Sequence, residues 1–247
     1  ISKSQTSLDE GLLLHYKLNG NVNDYGPNNF NGTPNVSYTS DYMGNAVNAA
    51  LFNGINSYID FPSAPQLKPS LPISIAFRVK FNDLTVQKSW ILSTNYSIDS
   101  YNGVLVNTNG SQIQFSFGDG QIGVTSGATR RTKTATTALI EGQWYYIVGV
   151  IRGATDMDIY VDCINDLGTY SGSGGSMNYN SALGSIGRGD VAGFDPYYLD
   201  GSIDDFRYWN RALSPDDVQS LCELIASSTK LETEDIAENA YPNPVKS

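Results

Sequence analysis

The run PISIAFRVKF, which ends at Phe81, constrains the fold of this chain more than any other stretch. Large apolar side chains stand at every second position from Ile73 to Phe81, and small or polar side chains stand between them. This alternation predicts a β-strand with one buried face, because an amphipathic helix places its apolar residues three or four apart. IQFSF, at 113–117, repeats the alternation. The runs 144–151 and 157–162 flank the turn-like RGATD and predict a hairpin.

Turn signals such as NDYGPNN, NTNGS, GDGQ and SGSGGS separate these runs along the whole chain. Many short strands between such turns predict an all-β sandwich or barrel. One short helix is predicted from Ser214, where SPDDVQSL offers a serine N-cap and a proline at the first helical position. Val218, Leu221, Cys222 and Ile225 form the apolar stripe of this helix.

The charge balance excludes some classes of partner. The formal net charge is −10, which argues against nucleic acid and anionic membrane surfaces. No apolar run approaches the roughly 20 residues of a membrane-spanning helix. We therefore expect no nucleic-acid partner and no membrane span.

Four segments together carry a family resemblance: GNAVNAALFNGINSYIDF, GQWYYIVGVI with IYVDC, LGSIGRG, and LDGSIDDFRYWNRALSPDDVQSL. Their order resembles the laminin-G-like and pentraxin-like branch of the concanavalin A-like lectin/glucanase superfamily, from Gly11 to Ile225. The resemblance implies a concanavalin A-like jelly-roll sandwich of two curved antiparallel sheets, with one short C-terminal helix. The domain would span 11–227, with an N-terminal extension at 1–10 and an acidic linker from 228.

The chain has two cysteines, Cys163 and Cys222, which either form a disulfide or remain as two buried thiols. Relatives of this kind usually have glycine at the position of Cys163, and the departure favours a partner for this thiol. An exported protein would also favour the disulfide, because disulfides persist in oxidising compartments.

The ending AYPNPVKS, within 228–247, resembles the start of the sorting domain that Bacteroidetes attach to cargo of the type IX secretion system. The alternative is an ordinary proline-rich linker. The resemblance implies a secreted or cell-surface location, and we expect the chain to belong to a larger secreted protein.

The adjacent acids of SIDDF raise the question of a metal site. Strand parity places Asp204 on one face with Phe206 and Tyr208, and the family resemblance implies that this face points inward. Asp204 would then lie inward or at the core rim, where an ionised carboxylate needs a partner or a metal. The family resemblance implies a structural Ca²⁺ between an N-terminal loop and this last strand. The implied ligands are Asp24, Asn29, Asn53 and Asp204. An Asx turn for Asp24 and a salt bridge for Asp204 are the alternatives.

Asp205 is predicted to face solvent, or to pair with Arg207 or Arg78. His15, which is the single histidine, is predicted on the outer surface of the first strand.

Catalytic patterns are scarce. The Glu-x-Asp-x-x-Glu signature of the glycosidases that resemble this chain is absent, and Glu141 is the single glutamate between Gly11 and Cys222. A glycosidase needs two positioned carboxylates. A non-catalytic domain is therefore the favoured interpretation, and a polysaccharide lyase or glycosidase with an unrecognised site is the less favoured one.

Aromatic and basic side chains in the loops favour a carbohydrate-binding module or lectin-like domain. Aromatic rings stack on sugar faces, and arginine forks suit sulfate or carboxylate groups. The predicted ligand is a polysaccharide, and the arginines favour an anionic algal glycan. A protein-binding or adhesion domain is the main alternative. The predicted contact residues are Trp90, Tyr96, Tyr101, Arg130, Arg131, Tyr179, Arg188, Tyr197 and Tyr198.

Overall fold

Two eight-stranded antiparallel sheets face each other across a shared apolar core. The computed structural model describes residues 8–85, 88–94, 101–121, 126–189 and 197–224. Within these residues, no helix is long and apolar enough to cross a membrane. The strands below are numbered in chain order across both sheets.

The first sheet has the order β13-β12-β11-β6-β18-β4-β3, and β1 also pairs with β18. Its strands are β1 (Leu12–Tyr16), β3 (Ser37–Thr39), β4 (Ala49–Asn53), β6 (Ile73–Phe81), β11 (Trp144–Gly153), β12 (Asp156–Val161), β13 (Ile164–Asp166) and β18 (Asp200–Trp209).

The second sheet has the order β14-β10-β9-β8-β7-β15-β5-β2. Its strands are β2 (Thr33–Asn35), β5 (Tyr58–Asp60), β7 (Leu92–Thr94), β8 (Asn102–Asn109), β9 (Gln112–Asp119), β10 (Arg130–Thr134), β14 (Thr169–Ser171) and β15 (Gly184–Ile186). A separate ribbon pairs β16 (Arg188–Gly189) with β17 (Tyr197–Tyr198). The helical segments are a 3₁₀ turn at Pro65–Leu67, α1 (Ser126–Thr129) and α2 (215–224).

The alternating runs form the core, as predicted. The odd-numbered residues of β6 lie between the sheets, and so do the alternate residues of β9. Phe77 of β6 packs against Phe115 of the opposite sheet and Phe206 of its own, with ring centroids 6.5 and 6.3 Å apart. The hairpin prediction is also confirmed, because β11 and β12 pair antiparallel. The all-β sandwich is therefore the fold of this chain.

Helix α2 begins where the sequence predicts. The Ser214 hydroxyl accepts a hydrogen bond from the Asp217 amide, and the Asp217 carboxylate accepts one from the Ser214 amide. Arg211 also donates to Asp217 at 2.8 Å. The apolar side of α2, including Val218 and Leu221, covers an apolar cluster on the outer face of the first sheet.

Leu8, which precedes β1, joins this outer cluster and is 4% exposed. Its carbonyl accepts a hydrogen bond of 2.7 Å from the indole Nε1 of Trp209. A disulfide closes the same region, because Cys163 and Cys222 have Sγ atoms 1.98 Å apart and Cα atoms 6.1 Å apart. Helix α2 is therefore tied covalently to the turn between β12 and β13.

A β-bulge at Asp205 interrupts β18, where the register against β6 shifts and the φ angle of Asp205 is 49°. Ile203 and Phe206 both point into the core, so an extra residue separates two inward positions. The prediction that Asp204 points inward with Phe206 and Tyr208 was wrong, because the bulge reverses the alternation. Asp204 lines a cavity on the outer face of the first sheet.

Candidate functional site

The four residues of the predicted calcium site do not come together, although Asp24 and Asn29 belong to the same loop. Tyr16 of β1 pairs with Phe206 on one side and bridges to Asp24 on the other, so β1 separates Asp24 from β18. Asn53 pairs with Asp200, four residues before Asp204 and about 13 Å away along an extended strand.

The predicted ligands Asp24 and Asn53 form hydrogen bonds with backbone amides, and Asn29 lies at the surface. The Asp24 carboxylate accepts hydrogen bonds from three backbone amides, those of His15, Gly26 and Phe30, at 2.8 to 2.9 Å. The amide oxygen of Asn53 likewise accepts from three backbone N–H groups of the turn after β4. Asn29 is exposed. The alternative Asx-turn interpretation of Asp24 thus matches its contacts.

These residues do not fit one calcium coordination sphere in this structure. Among the residues that the structure describes, no group of three or more acidic, histidine or cysteine side chains is placed to hold a metal ion. Calcium binding stays a prediction, and no role is assigned to the ion below.

Asp204 lies opposite Arg78 in the pairing of β18 with β6, and it is 8% exposed. Burial, and then the charge of Asp205, raise the pKa of Asp204 to about 8. The carboxyl group therefore carries a proton at neutral pH.

Asp205 is tightly paired, and the single histidine is one of its partners. One oxygen of Asp205 lies 2.7 Å from Nε2 of His15 and 3.0 Å from Nε of Arg207. Burial alone would raise the pKa of Asp205, but Arg207 and His15 outweigh it and hold the pKa well below its usual range. The pairing with Arg207 matches the prediction. His15 lies on the outer face of the first sheet, as predicted, but its side chain is only 13% exposed and is therefore largely covered.

Three of the predicted glycan contacts are engaged in packing the domain. Trp90 is 4% exposed and packs on Tyr197, with ring centroids 5.1 Å apart. Arg131 pairs with Phe117 across β10 and β9 and therefore points inward, where it donates to the backbone oxygens of Ala154 and Gly172. The Tyr179 hydroxyl donates to the Pro69 backbone oxygen. Tyr96 lies outside the described residues.

Arg130 and Tyr101 form one half-buried pair on the outer face of the second sheet. The Arg130 guanidinium lies over the Tyr101 ring, 4.7 Å from its centroid. Together with Leu105, Ser116 and Gly118 they line a narrow cleft. A cation–π pair of this kind holds a guanidinium in a fixed plane.

A second cluster on that face combines an ion pair with tyrosines, and we call it the tyrosine patch: Tyr58, Asp60, Arg188 and Tyr198. Nη2 of Arg188 donates to both oxygens of Asp60, at 2.8 and 3.1 Å. The guanidinium lies 3.8 Å from the centroid of the Tyr58 ring. Tyr198 pairs with Arg188 across the β16–β17 ribbon, and both tyrosines are partly exposed.

Tyr58 and Asp60 are members of this cluster that were not predicted from the sequence. Both belong to SYIDF, in which Ile59 points into the core and its two neighbours point outward. The period of two in that segment was the available signal. Their proximity to Arg188, which is more than 120 residues away in sequence, follows only from the pairing of β5 with β15.

A family model described as the concanavalin A-like lectin/glucanases superfamily, of the laminin G type, matches residues 53–219. The chain belongs to this superfamily. A comparison with curated proteins found no relative.

Solved structures of this superfamily fold are similar to the chain at low sequence identity. Domain 4 of AbnA, a GH43 extracellular arabinanase from Geobacillus stearothermophilus solved in complex with arabinotriose, is 19% identical with a TM-score of 0.56, covering 85% of this chain and 98% of that one. The binding domain of Paraclostridial Mosquitocidal Protein 1 is 14% identical with a TM-score of 0.61. The match covers 87% of this chain and 52% of that one.

A botulinum neurotoxin type C structure, whose study concerns cell entry through two ganglioside molecules, is 10% identical with a TM-score of 0.60. The match covers 89% of this chain and 52% of the neurotoxin chain. This chain therefore spans about half the length of both toxin chains.

Proposed function

We propose that this superfamily domain is a non-catalytic carbohydrate-binding module, and that the tyrosine patch is its contact surface. The observation that carries the proposal is the Asp60–Arg188 ion pair. Its side chains are 19% and 24% exposed, so both can reach a ligand. The Tyr58 ring stands beside it, and Tyr198 pairs with Arg188 across the β16–β17 ribbon.

The patch offers the two kinds of contact that a sugar needs. The guanidinium donates hydrogen bonds and the carboxylate accepts them, so neighbouring hydroxyl groups find a donor and an acceptor already fixed in place. Tyrosine rings supply apolar faces with a polar edge. Ser185 donates to Asp60 at 2.5 Å and accepts from Nε of Arg188 at 3.2 Å, which fixes the pair further.

The comparisons support a glycan as the ligand class. The arabinanase domain was solved with arabinotriose, and the neurotoxin study names gangliosides. Arabinotriose and gangliosides are named for those proteins and not for this chain. Sequence identities of 19% and 10% show only that the fold is shared. For this chain the comparisons support a glycan as the ligand to test first, and a neurotoxin binding domain solved with rat synaptotagmin II keeps a protein partner as the alternative.

Arg130 supports an acidic glycan in particular. It lies beside Tyr101 in the cleft of the second sheet, whereas Arg188 is neutralised by Asp60. We therefore assign Arg130 to sulfate or carboxylate groups of the glycan and the tyrosine patch to its hydroxyl groups. Arg131 no longer belongs to the proposed contacts.

The test is a glycan array with neutral and acidic polysaccharides, combined with an assay for new reducing ends or unsaturated products. We expect binding without product. The double variant Tyr58→Ala/Tyr198→Ala should lose at least tenfold in affinity, while Tyr25→Ala, an exposed tyrosine of an N-terminal loop, keeps it.

Three outcomes contradict the proposal. Product formation would assign a lyase or glycosidase, and silence on the array would leave the protein-binding or adhesion domain. Unchanged affinity of the double variant would move the glycan site elsewhere.

Export is part of the same proposal. The Cys163–Cys222 disulfide supports an oxidising compartment. The ending AYPNPVKS, which lies outside the described residues, is the sequence feature that suggests type IX secretion in a member of the Bacteroidetes. Fractionation of cells that carry the natural gene should find the protein at the surface or in the medium, and a cytoplasmic protein would contradict this location.

A further inference from the structure

A polar cavity of about 490 Å³ lies on the outer face of the first sheet, on the opposite side of the sandwich from the tyrosine patch. Its floor comes from β1, β6 and β18, and Leu221 and Leu224 of α2 form an apolar wall. Pockets of this size suit small organic ligands.

Arg78 is the buried cation of this cavity. It stands on β6 near the middle of the first sheet and is 6% exposed. Its guanidinium lies 3.5 Å from the centroid of the Tyr42 ring and 5.2 Å from that of Tyr146. These two rings hold the planar group in position.

One nitrogen of Arg78 lacks a partner within the described part of the chain. Among those residues, its buried Nη2 atom makes no hydrogen bond, and the buried Tyr146 hydroxyl makes none either. Burial raises the pKa of Tyr146, so the hydroxyl keeps its proton and remains a donor. Buried donors without an acceptor are rare in folded proteins and call for a ligand or an ordered water.

The other charged groups of the cavity have partners or carry a proton. Asp205 is paired with His15 and Arg207. Asp41 accepts hydrogen bonds from the backbone amides of Met43 and Asn45. The cavity therefore offers hydrogen-bond donors and a positive charge rather than a free carboxylate.

We propose that this cavity binds the carboxylate of a small organic acid of about sugar size, with Arg78 as the residue that anchors the carboxylate. A guanidinium and a carboxylate are both planar, so they form paired, charge-assisted hydrogen bonds. The leucine wall accommodates the carbon skeleton. A dianion such as sulfate or phosphate fits less well, because the Asp41 and Asp205 side chains line the same cavity.

This site does not depend on the proposed glycan contacts, because the tyrosine patch lies on the other sheet. The acid is either free or the end of an acidic sugar chain. Galacturonate and an oligogalacturonate represent these two sources, and galactose is the matched control that lacks the carboxylate.

Titration calorimetry on the full chain should show binding of galacturonate, of its oligomer or of both, and none of galactose. Arg78→Gln should weaken it at least tenfold, as expected for a lost charge-assisted hydrogen bond. Asp204→Asn should retain or strengthen it. Tighter binding of the monomer would identify a free acid, and tighter binding of the oligomer that Arg78→Gln weakens would identify a chain end.

Leu224→Trp is a second variant, because Leu224 is 38% exposed at the cavity wall and its replacement leaves Arg78 in place. It should block galacturonate while the melting temperature is retained, which covers the case in which Arg78→Gln fails to fold. The Tyr58→Ala/Tyr198→Ala variant should bind galacturonate as the wild type does.

Two results would overturn the proposal. The first is no binding of galacturonate or its oligomer to the wild type, or equal binding of galactose. The second is that Asp204→Asn abolishes binding while Arg78→Gln retains it. The ligand would then depend on the Asp204 carboxyl group and not on the Arg78 guanidinium.

Discussion

The outer faces of the two sheets use the same side chains, tyrosine, arginine and aspartate, in opposite ways. On the first sheet Arg78 and Asp204 are 6% and 8% exposed and lie beside a covering helix. On the second sheet the side chains of Arg188 and Asp60 remain 24% and 19% exposed and neutralise each other. The buried polar side chains of the first sheet therefore suit a small ligand in a cavity. The exposed ones of the second sheet suit an extended ligand on a surface.

Removing the disulfide is the strongest way to disturb the first face alone. The bond joins residues 59 apart in sequence, and a loop of that length predicts a loss of about 4 kcal/mol of unfolding free energy. Denaturant unfolding of Cys163→Ser/Cys222→Ser against the oxidised wild type measures this loss. At low temperature the double cysteine variant should still bind the glycan as the wild type does. A loss of both stability and retention would show that the two faces are coupled.

Asp24→Ala separates the hydrogen-bonding role of Asp24 from the calcium prediction. The variant leaves three backbone N–H groups without their acceptor, and we expect a loss of about 3 kcal/mol. Because these bonds need no metal, the loss should be the same with and without a chelator in calorimetry. If the chelator destabilises the wild type but not the variant, Asp24 is a calcium ligand.

Asp204→Asn tests the buried charges of the first face through pH. The pKa of Asp204 is raised from 3.8 to about 8, so the native state holds a proton that the unfolded state has released across that interval. Stability should therefore fall as pH rises from 4 to 8, by up to about 1.4 kcal/mol per pH unit.

The asparagine variant loses this contribution, so it should gain stability relative to the wild type between pH 5 and pH 8. Urea unfolding at pH 5, 7 and 9 gives the comparison. Parallel curves for the two proteins would mean that Asp204 is ionised throughout.

Asp60→Asn should have the smallest effect on stability, because a partly exposed ion pair contributes about 1 kcal/mol or less. Its effect on specificity should be larger. Arg188 loses its neutralising partner, so affinity for acidic glycans should rise relative to neutral ones in affinity electrophoresis. Asp156→Asn, at the exposed pair with Arg152 on the first sheet, is the matched control. The same shift in both variants would indicate net charge alone.

The sandwich and the helix could be predicted from the sequence because their signals are local. The alternation from Ile73 to Phe81 describes one strand without reference to any other. The serine cap at Ser214 and the proline after it likewise mark the start of a helix. Both signals concern residues within one element, where spacing and chemistry decide the outcome.

The candidate site could be predicted only in part, because pairing across strands is not local. One extra residue at Asp205 reversed the orientation predicted for Asp204. The basic run RRTKT suggested an exposed loop, yet it forms β10, whose register turns Arg131 and Lys133 toward the core beside Phe117 and Phe115. Neither the bulge nor the register leaves a mark in the residues themselves.

The bond between Cys163 and Cys222 also has a mechanical consequence. Cys222 lies near the last described turn of α2, so tension on the residues beyond 224 reaches the bond before it can unwind the helix. The force then passes into the turn between β12 and β13 at the edge of the first sheet, where backbone hydrogen bonds share the load.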